Sequence, residues 1–256
     1  MGGKSSKPDF SNQIGTGNAG PPGSEELEID VDMCSMDLRL KRLTNLPWDL
    51  SVLTNLKELD LSMNLYTQMP DQLLWKDSHL ATSLTKLSIN QNRIQALPDD
   101  MQEMISLQTL CCYDNTLTGL PKSICNMRSL TQLSLYNNFI TELPEEFCRI
   151  PKLQMAYLSN NRISKLPDNW HEAHELRGLF IDGNPIGELP KSFFNTPKLE
   201  ELTLCNNNLK VVPEELANLV SLKELYLNGA CGQRPVVIPV KLAEKNVVKD
   251  CYDGQI

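Results

Sequence analysis

From Leu130 to Lys152 the chain reads LTQLSLYNNFITELPEEFCRIPK, and the same skeleton recurs along most of its length. Leucine stands at Leu84, Leu107, Leu130, Leu153, Leu176, Leu199 and Leu222; the first step is 107 − 84 = 23 and each later one is the same. Counted from that leucine, apolar residues return at positions four, six, eleven, fourteen and eighteen. Position nine is asparagine (Asn64, Asn92, Asn115, Asn138, Asn161, Asn184, Asn207), and position fifteen is proline (Pro47, Pro70, Pro98, Pro121, Pro144, Pro167, Pro190, Pro213). A fixed period of about 20 to 50 residues is the mark of a solenoid, in which each unit can bury its apolar stripe only against its neighbours.

The physics of one unit follows from its residues. Positions three to seven alternate, as in Lys86, Leu87, Ser88, Ile89 and Asn90, so a short strand turns Leu87 and Ile89 inward and its polar neighbours outward. At position nine the chain must turn, and a buried asparagine amide can satisfy backbone groups that the turn leaves unpaired. Leucine and proline at fourteen and fifteen anchor the return path and deny it a strand hydrogen bond. Stacked units then line their strands into one parallel wall, nine strands at about 4.8 Å spacing.

On these columns the chain resembles the leucine-rich repeat family, in the 23-residue intracellular subtype of Ras-suppressor-like and plant intracellular Ras-group proteins. The resemblance covers Met33 to Pro239, with Met33 and Leu56 heading the first two units. It implies an α/β solenoid, a horseshoe with a parallel concave sheet and irregular or short-helical convex segments. It also implies a protein partner such as a small GTPase, a phosphatase or a kinase assembly. Fold alone does not choose among these.

Departures from the pattern mark the ends and one insertion. The step from Leu56 to Leu84 is 28, which puts five extra residues near Trp75 to His79, away from the strand. Lys41 and Ala230 replace the asparagine in the first and last units, where one side of the stack lacks a neighbour. Upstream, Leu27, Ile29 and Val31 alternate with acidic residues, an expected edge strand whose charge discourages sheet pairing. Downstream, Val236 to Val248 is apolar enough to cover the last edge. The expected organisation is a flexible tether at 1–24, a cap at 25–32, the solenoid at 33–235, and a cap and tail at 236–256.

A net charge of −8 argues against a nucleic acid backbone as partner. The eight cysteines do not cluster in end caps. The chain shows no signal-peptide apolar region, no apolar run of 18 residues and no Asn-x-Ser/Thr sequon. A reduced intracellular compartment is expected, with the cysteines as thiols.

Met1, Gly2, Gly3, Lys4, Ser5 and Ser6 fit the Met-Gly-x-x-x-Ser/Thr pattern, in which Gly2 becomes the amino terminus that accepts myristate. The following stretch through Gly23 is rich in Gly, Ser, Pro and Asn, as a tether would be. One acyl chain holds a protein weakly, and Lys4 and Lys7 fall far short of a polybasic cluster, so attachment at the cytoplasmic face of a membrane would be reversible.

The concave wall consists of positions two, three, five, seven and eight. Tyr113 and Tyr136 take position seven of adjacent units, Tyr157 and Phe180 take position five of the next two, and Tyr226 lies further along. By composition about one of the six tyrosines would fall on these positions, against four that do. Aromatic residues on a rigid exposed sheet bury much area for little rotamer entropy, which makes them interface anchors. Asp114, Asn137, Asn160 and Asp182 form a polar rim. The competing reading is that aromatics simply suit strands and pack along the wall.

Other constellations are weaker. His171 and His174 lack the spacing of a zinc peptidase and lie on a return segment, so no metal is expected there. Trp170 takes the apolar eighteenth position, as Phe147 and Phe193 do. Glu200, Glu201, Lys223 and Glu224 form a charged end of the wall. No phosphate-cradling glycine loop, cysteine–histidine pair or other catalytic set emerges, and no cofactor is implied. The expectation is a monomeric, non-catalytic protein-binding adaptor or scaffold in intracellular signalling; a structural tether in a membrane or cytoskeletal assembly is the alternative.

Overall fold

A computed structural model describes residues 32–46, 50, 53–74 and 79–249. Gly2 with the rest of the tether, the upstream cap through residue 31, Trp75 to Ser78 of the insertion and the tail from residue 250 lie outside the described residues.

Ten strands form one open sheet in chain order: β1 (Ser35–Asp37), β2 (Glu58–Asp60), β3 (Lys86–Ser88), β4 (Thr109–Cys111), β5 (Gln132–Ser134), β6 (Met155–Tyr157), β7 (Gly178–Phe180), β8 (Glu201–Thr203), β9 (Glu224–Tyr226) and β10 (Val248–Lys249). All neighbours run parallel and pair equivalent positions, so Leu87, Leu110, Leu133, Ala156 and Leu179 stand side by side. This is the solenoid that the period predicts. The tenth strand, one more than the repeats supply, comes from the segment after the last unit and pairs with β9. Just before it, α2 (Val240–Glu244) buries Leu242. The longer unit carries a short helix, α1 (His79–Ser83), which buries Leu80 and whose Ser83 hydroxyl donates to the Leu56 carbonyl at 2.8 Å.

The strands are shorter than the alternation implies. Those of the repeats hold positions three to five only, because position eight is already in the left-handed region. There φ lies between 52° and 66° at Leu40, Met63, Gln91, Asp114, Asn137, Asn160, Gly183, Asn206 and Gly229. Asn, Asp and Gly tolerate that conformation best, which accounts for their hold on the column from Asp114 onward.

The turn is fastened by the residue that follows. Asn138 donates from Nδ2 to the carbonyls of Leu135 in its own unit and Cys112 in the preceding one, each at 3.0 Å, while its Oδ1 accepts from the Leu117 amide at 3.0 Å. Asn115, Asn161 and Asn184 repeat this bonding one unit at a time. The position-nine amide therefore stitches each unit to the one before it, as the sequence predicts for its turn and with a reach that periodicity does not reveal.

The return path turns through short 3-10 segments, Lys122–Asn126, Lys191–Asn195 and Glu214–Asn218 among them, each entered from an extended proline. Beneath the wall runs one continuous apolar core from Met36 to Val247. Trp170 is fully buried there, edge-on to Phe193 at 5.0 Å between ring centres. Six described cysteines are free thiols, whereas Cys205 is in a disulfide, which departs from the expectation of thiols throughout. No helix among the described residues is long and apolar enough to cross a membrane.

Candidate functional site

Because adjacent strands are in register and about 4.8 Å apart, side chains at one position of successive units meet face to face. Tyr113 and Tyr136 stack with ring centres 4.3 Å apart and planes 9° from parallel. Tyr157 and Phe180 do the same at 4.6 Å and 8°. Four of the five aromatics singled out in the sequence thus form two stacked pairs. Tyr113, Tyr136 and Tyr157 are half-buried and present one side to the concave face. Burial, with Tyr113 and Asp114 nearby, raises the Tyr136 pKa, so its hydroxyl stays a neutral donor and acceptor.

Phe180 departs from the expectation that it stands clear of its surroundings: it is only 9% exposed. The cause is Gly178. A Cβ built there would meet Met155 Cε at 2.6 Å and Phe180 Cε2 at 2.9 Å, so the missing side chain is the space into which Met155 and Phe180 close. Met155, Tyr157 and Phe180 make one apolar shelf on the wall.

The expected polar rim is bound up within the wall. Asp114 accepts from Asn137 Nδ2 at 2.7 Å and Gln91 Nε2 at 3.4 Å, and Asn137 in turn accepts from Asn160 Nδ2 at 2.8 Å. Asp182 accepts from the Ser159 hydroxyl at 3.2 Å, the Cys205 amide at 2.7 Å and the Thr203 hydroxyl. These residues hold neighbouring units together, and their outward atoms remain on the face beside the aromatic pairs. The ladder stops at Gly183, over whose Cα the Asn160 side chain lies.

At the far end of the wall Lys223 and Arg177 both grip Glu200, each at 2.6 Å, and hold its pKa below the usual glutamate value. Glu201 lies in register between Gly178 and Glu224. Burial, then the charge of Glu224, raises its pKa. Met155, Gly178 and the distinct environment of Glu201 are what sequence reasoning missed. The signal was present in the alignment of position three across units, where methionine, glycine and glutamate follow one another.

The two histidines are exposed on the outer turn as expected, and no group of three or more metal-ligating side chains occurs among the described residues. The wall brings half-buried aromatic, apolar and hydrogen-bonding groups side by side.

Comparison with known proteins agrees with this architecture. The sequence matches the family described as "Leucine rich repeat" over residues 82–138, 105–163, 128–186 and 174–230. No curated protein matches the sequence. Among solved structures, a leucine-rich repeat protein of Leptospira interrogans is similar at 24% identity and TM-score 0.61, over 86% of this chain and 66% of that one. The ectodomain of the receptor kinase GASSHO1/SCHENGEN3 from Arabidopsis thaliana, in complex with Casparian Strip Integrity Factor 2, is similar at 25% identity and TM-score 0.66, over 80% of this chain and 25% of that one. Toll, in the Drosophila Toll–Spatzle complex, is similar at 22% identity and TM-score 0.66, over 78% and 29%. The chain spans about two thirds of the first of these proteins and under a third of the other two.

Proposed function

This chain belongs to the leucine-rich repeat family, and on that premise we propose that it is a non-catalytic adaptor or scaffold which captures a protein partner on its concave wall. The observation that carries the reading is the pair of aromatic stacks on the outward side of a stiff sheet. Rings fixed against one another lose little further freedom on binding, so the area they bury goes into affinity. Two similar structures are complexes with the ligands that their names record, which supports a macromolecular partner over a small substrate.

The 23-residue spacing with its proline column supports the intracellular Ras-suppressor-like reading, in which the partner is a small GTPase, a phosphatase or a kinase assembly and the chain acts as a monomer. Myristate on Gly2 would add a weak, reversible hold on the cytoplasmic face of a membrane. The test is affinity capture from eukaryotic cells with the full chain, with Tyr113→Ala/Tyr136→Ala and with Gly2→Ala. Changing both members of one stack should abolish partner recovery while the circular dichroism stays native; undiminished recovery rejects the wall as the binding surface. Intact-mass measurement of the purified chain decides acylation, and an unmodified Gly2 ends that part of the reading.

A further inference from the structure

We propose that the far end of the wall receives an arginine side chain of the protein partner, laid against the Met155–Tyr157–Phe180 shelf and held by the carboxylates of Glu201 and Glu224. The proposal rests on the concave-wall reading above and deepens it, naming the chemistry that the partner must present.

It comes from following the carboxylates of the wall to their surroundings; Glu58 stands exposed on β2 beside Lys86 in register. Asp37 is bound by Arg39 and Asp60 by the Ser62 amide. Asp114 and Asp182 are used up in the side-chain ladder, and Glu200 is shared by Arg177 and Lys223. Glu224 accepts from the Tyr226 hydroxyl at 2.8 Å, a neutral donor that leaves its charge uncompensated. Glu201 differs: its half-buried side chain forms no hydrogen bond or ion pair among the described residues, and it has a second carboxylate in register on the next strand. Arg177 and Lys223, which precede Gly178 and Glu224 in the chain, are committed to Glu200 on the flank.

Two like charges about one strand spacing apart, one of them short of solvent, form a standing repulsion that an incoming cation would relieve. Burial first, and then the charge of Glu224, raises the pKa of Glu201, and the charge of Glu201 adds to burial in raising the pKa of the Tyr157 hydroxyl. Row three therefore runs from the Met155 thioether, over Gly178 whose space Met155 and Phe180 fill, to Glu201 and Glu224, and row five runs alongside it through Tyr157 and Phe180. An apolar, aromatic surface that ends in two carboxylates matches a guanidinium better than an ammonium. The planar guanidinium is weakly hydrated, lies flat on rings and thioethers, and donates in a fork to a pair of acceptors, whereas lysine is a strongly hydrated point charge. The acidic balance of the whole chain, −8, favours approach of a basic segment.

The experiment titrates the full-length, 15N-labelled chain with N-acetyl-arginine amide and follows the amides of Gly178, Phe180 and Glu201. The expected result is saturating shifts at these three, absent with the neutral isostere N-acetyl-citrulline amide and several-fold weaker, roughly fivefold, with N-acetyl-lysine amide. In Glu201→Gln/Glu224→Gln, which removes a repulsion and so retains the fold, affinity for the arginine probe should fall about tenfold or more. Equal response to citrulline or lysine, equal affinity in the double variant, or no saturating shift at these amides overturns the proposal. The two readings fail separately: recovery of cellular partners that is lost in Tyr113→Ala/Tyr136→Ala and unchanged in Glu201→Gln/Glu224→Gln sinks the arginine contact and leaves the wall as the binding surface.

Discussion

Replacing Asn138 by alanine removes the amide that ties the middle of the solenoid together. Its Nδ2 bonds to the Cys112 and Leu135 carbonyls and its Oδ1 bond to the Leu117 amide all disappear. The side chain is 4% exposed, so water cannot take its place without opening the turn. The Leu117 amide is left without a partner, while the Leu135 and Cys112 carbonyls each lose one donor and keep another, from Asn161 and Asn115; at about 1 kcal/mol for each of the three bonds the loss is about 3 kcal/mol together. For a chain of this size that is a fall of about 6 to 12 °C in Tm. Asn207 supplies an internal comparison. It makes the same two carbonyl bonds, to Ile181 and Leu204, but its buried Oδ1 has no donor. Asn207→Ala should therefore cost about 1 kcal/mol less than Asn138→Ala. Urea unfolding followed by circular dichroism measures both, and amide exchange at Leu117 reports the local opening. Equal losses in the two variants, or a loss under 1 kcal/mol at Asn138, would refute the stitching role of this column.

Other consequences can be checked in the same way. Glu201→Gln should raise the unfolding midpoint at pH 7. Its pKa is raised in the fold, so ionisation above the folded value works against the native state. The gain should vanish as pH falls below the ordinary glutamate range of about 4.3, where both states are protonated; a gain that persists there points to packing instead. Gly183→Ala should cost 1 kcal/mol or more by thermal unfolding, since φ is +62° and the new Cβ would lie 2.4 Å from Asn160 Oδ1. A maleimide at pH 7 should label exposed Cys34 and spare Cys125 and Cys148, whose thiols burial pushes up to about 12; equal labelling of all three in the native chain would contradict their placement.

How far the residues alone reach is clearest by comparing two aromatics. Tyr136 and its stack with Tyr113 were legible, because two residues at position seven of adjacent units must lie one strand spacing apart. Phe180 takes position five by the same count, yet it is buried. Its exposure depends on what stands beside it, and the empty position at Gly178 lets Met155 and Phe180 close together. Similarly, the composition of position eight showed polarity and suggested a rim for binding. The positive φ of that column and the bonds from Asn160 to Asn137 to Asp114 give those residues a structural role as well.

The period of 23 residues, with its leucine, asparagine and proline columns, determined by itself the parallel wall, its inward and outward faces and the identity of the core. These follow from one repeating unit that can hide its apolar edge only in a copy of itself. Lateral chemistry was left to the tertiary structure: which carboxylate meets a cation, which ring is covered, which amide reaches the preceding unit. Those pairings join residues 21 to 26 positions apart along the chain. They are settled only when neighbouring units dock and side chains of unequal size share the space between strands.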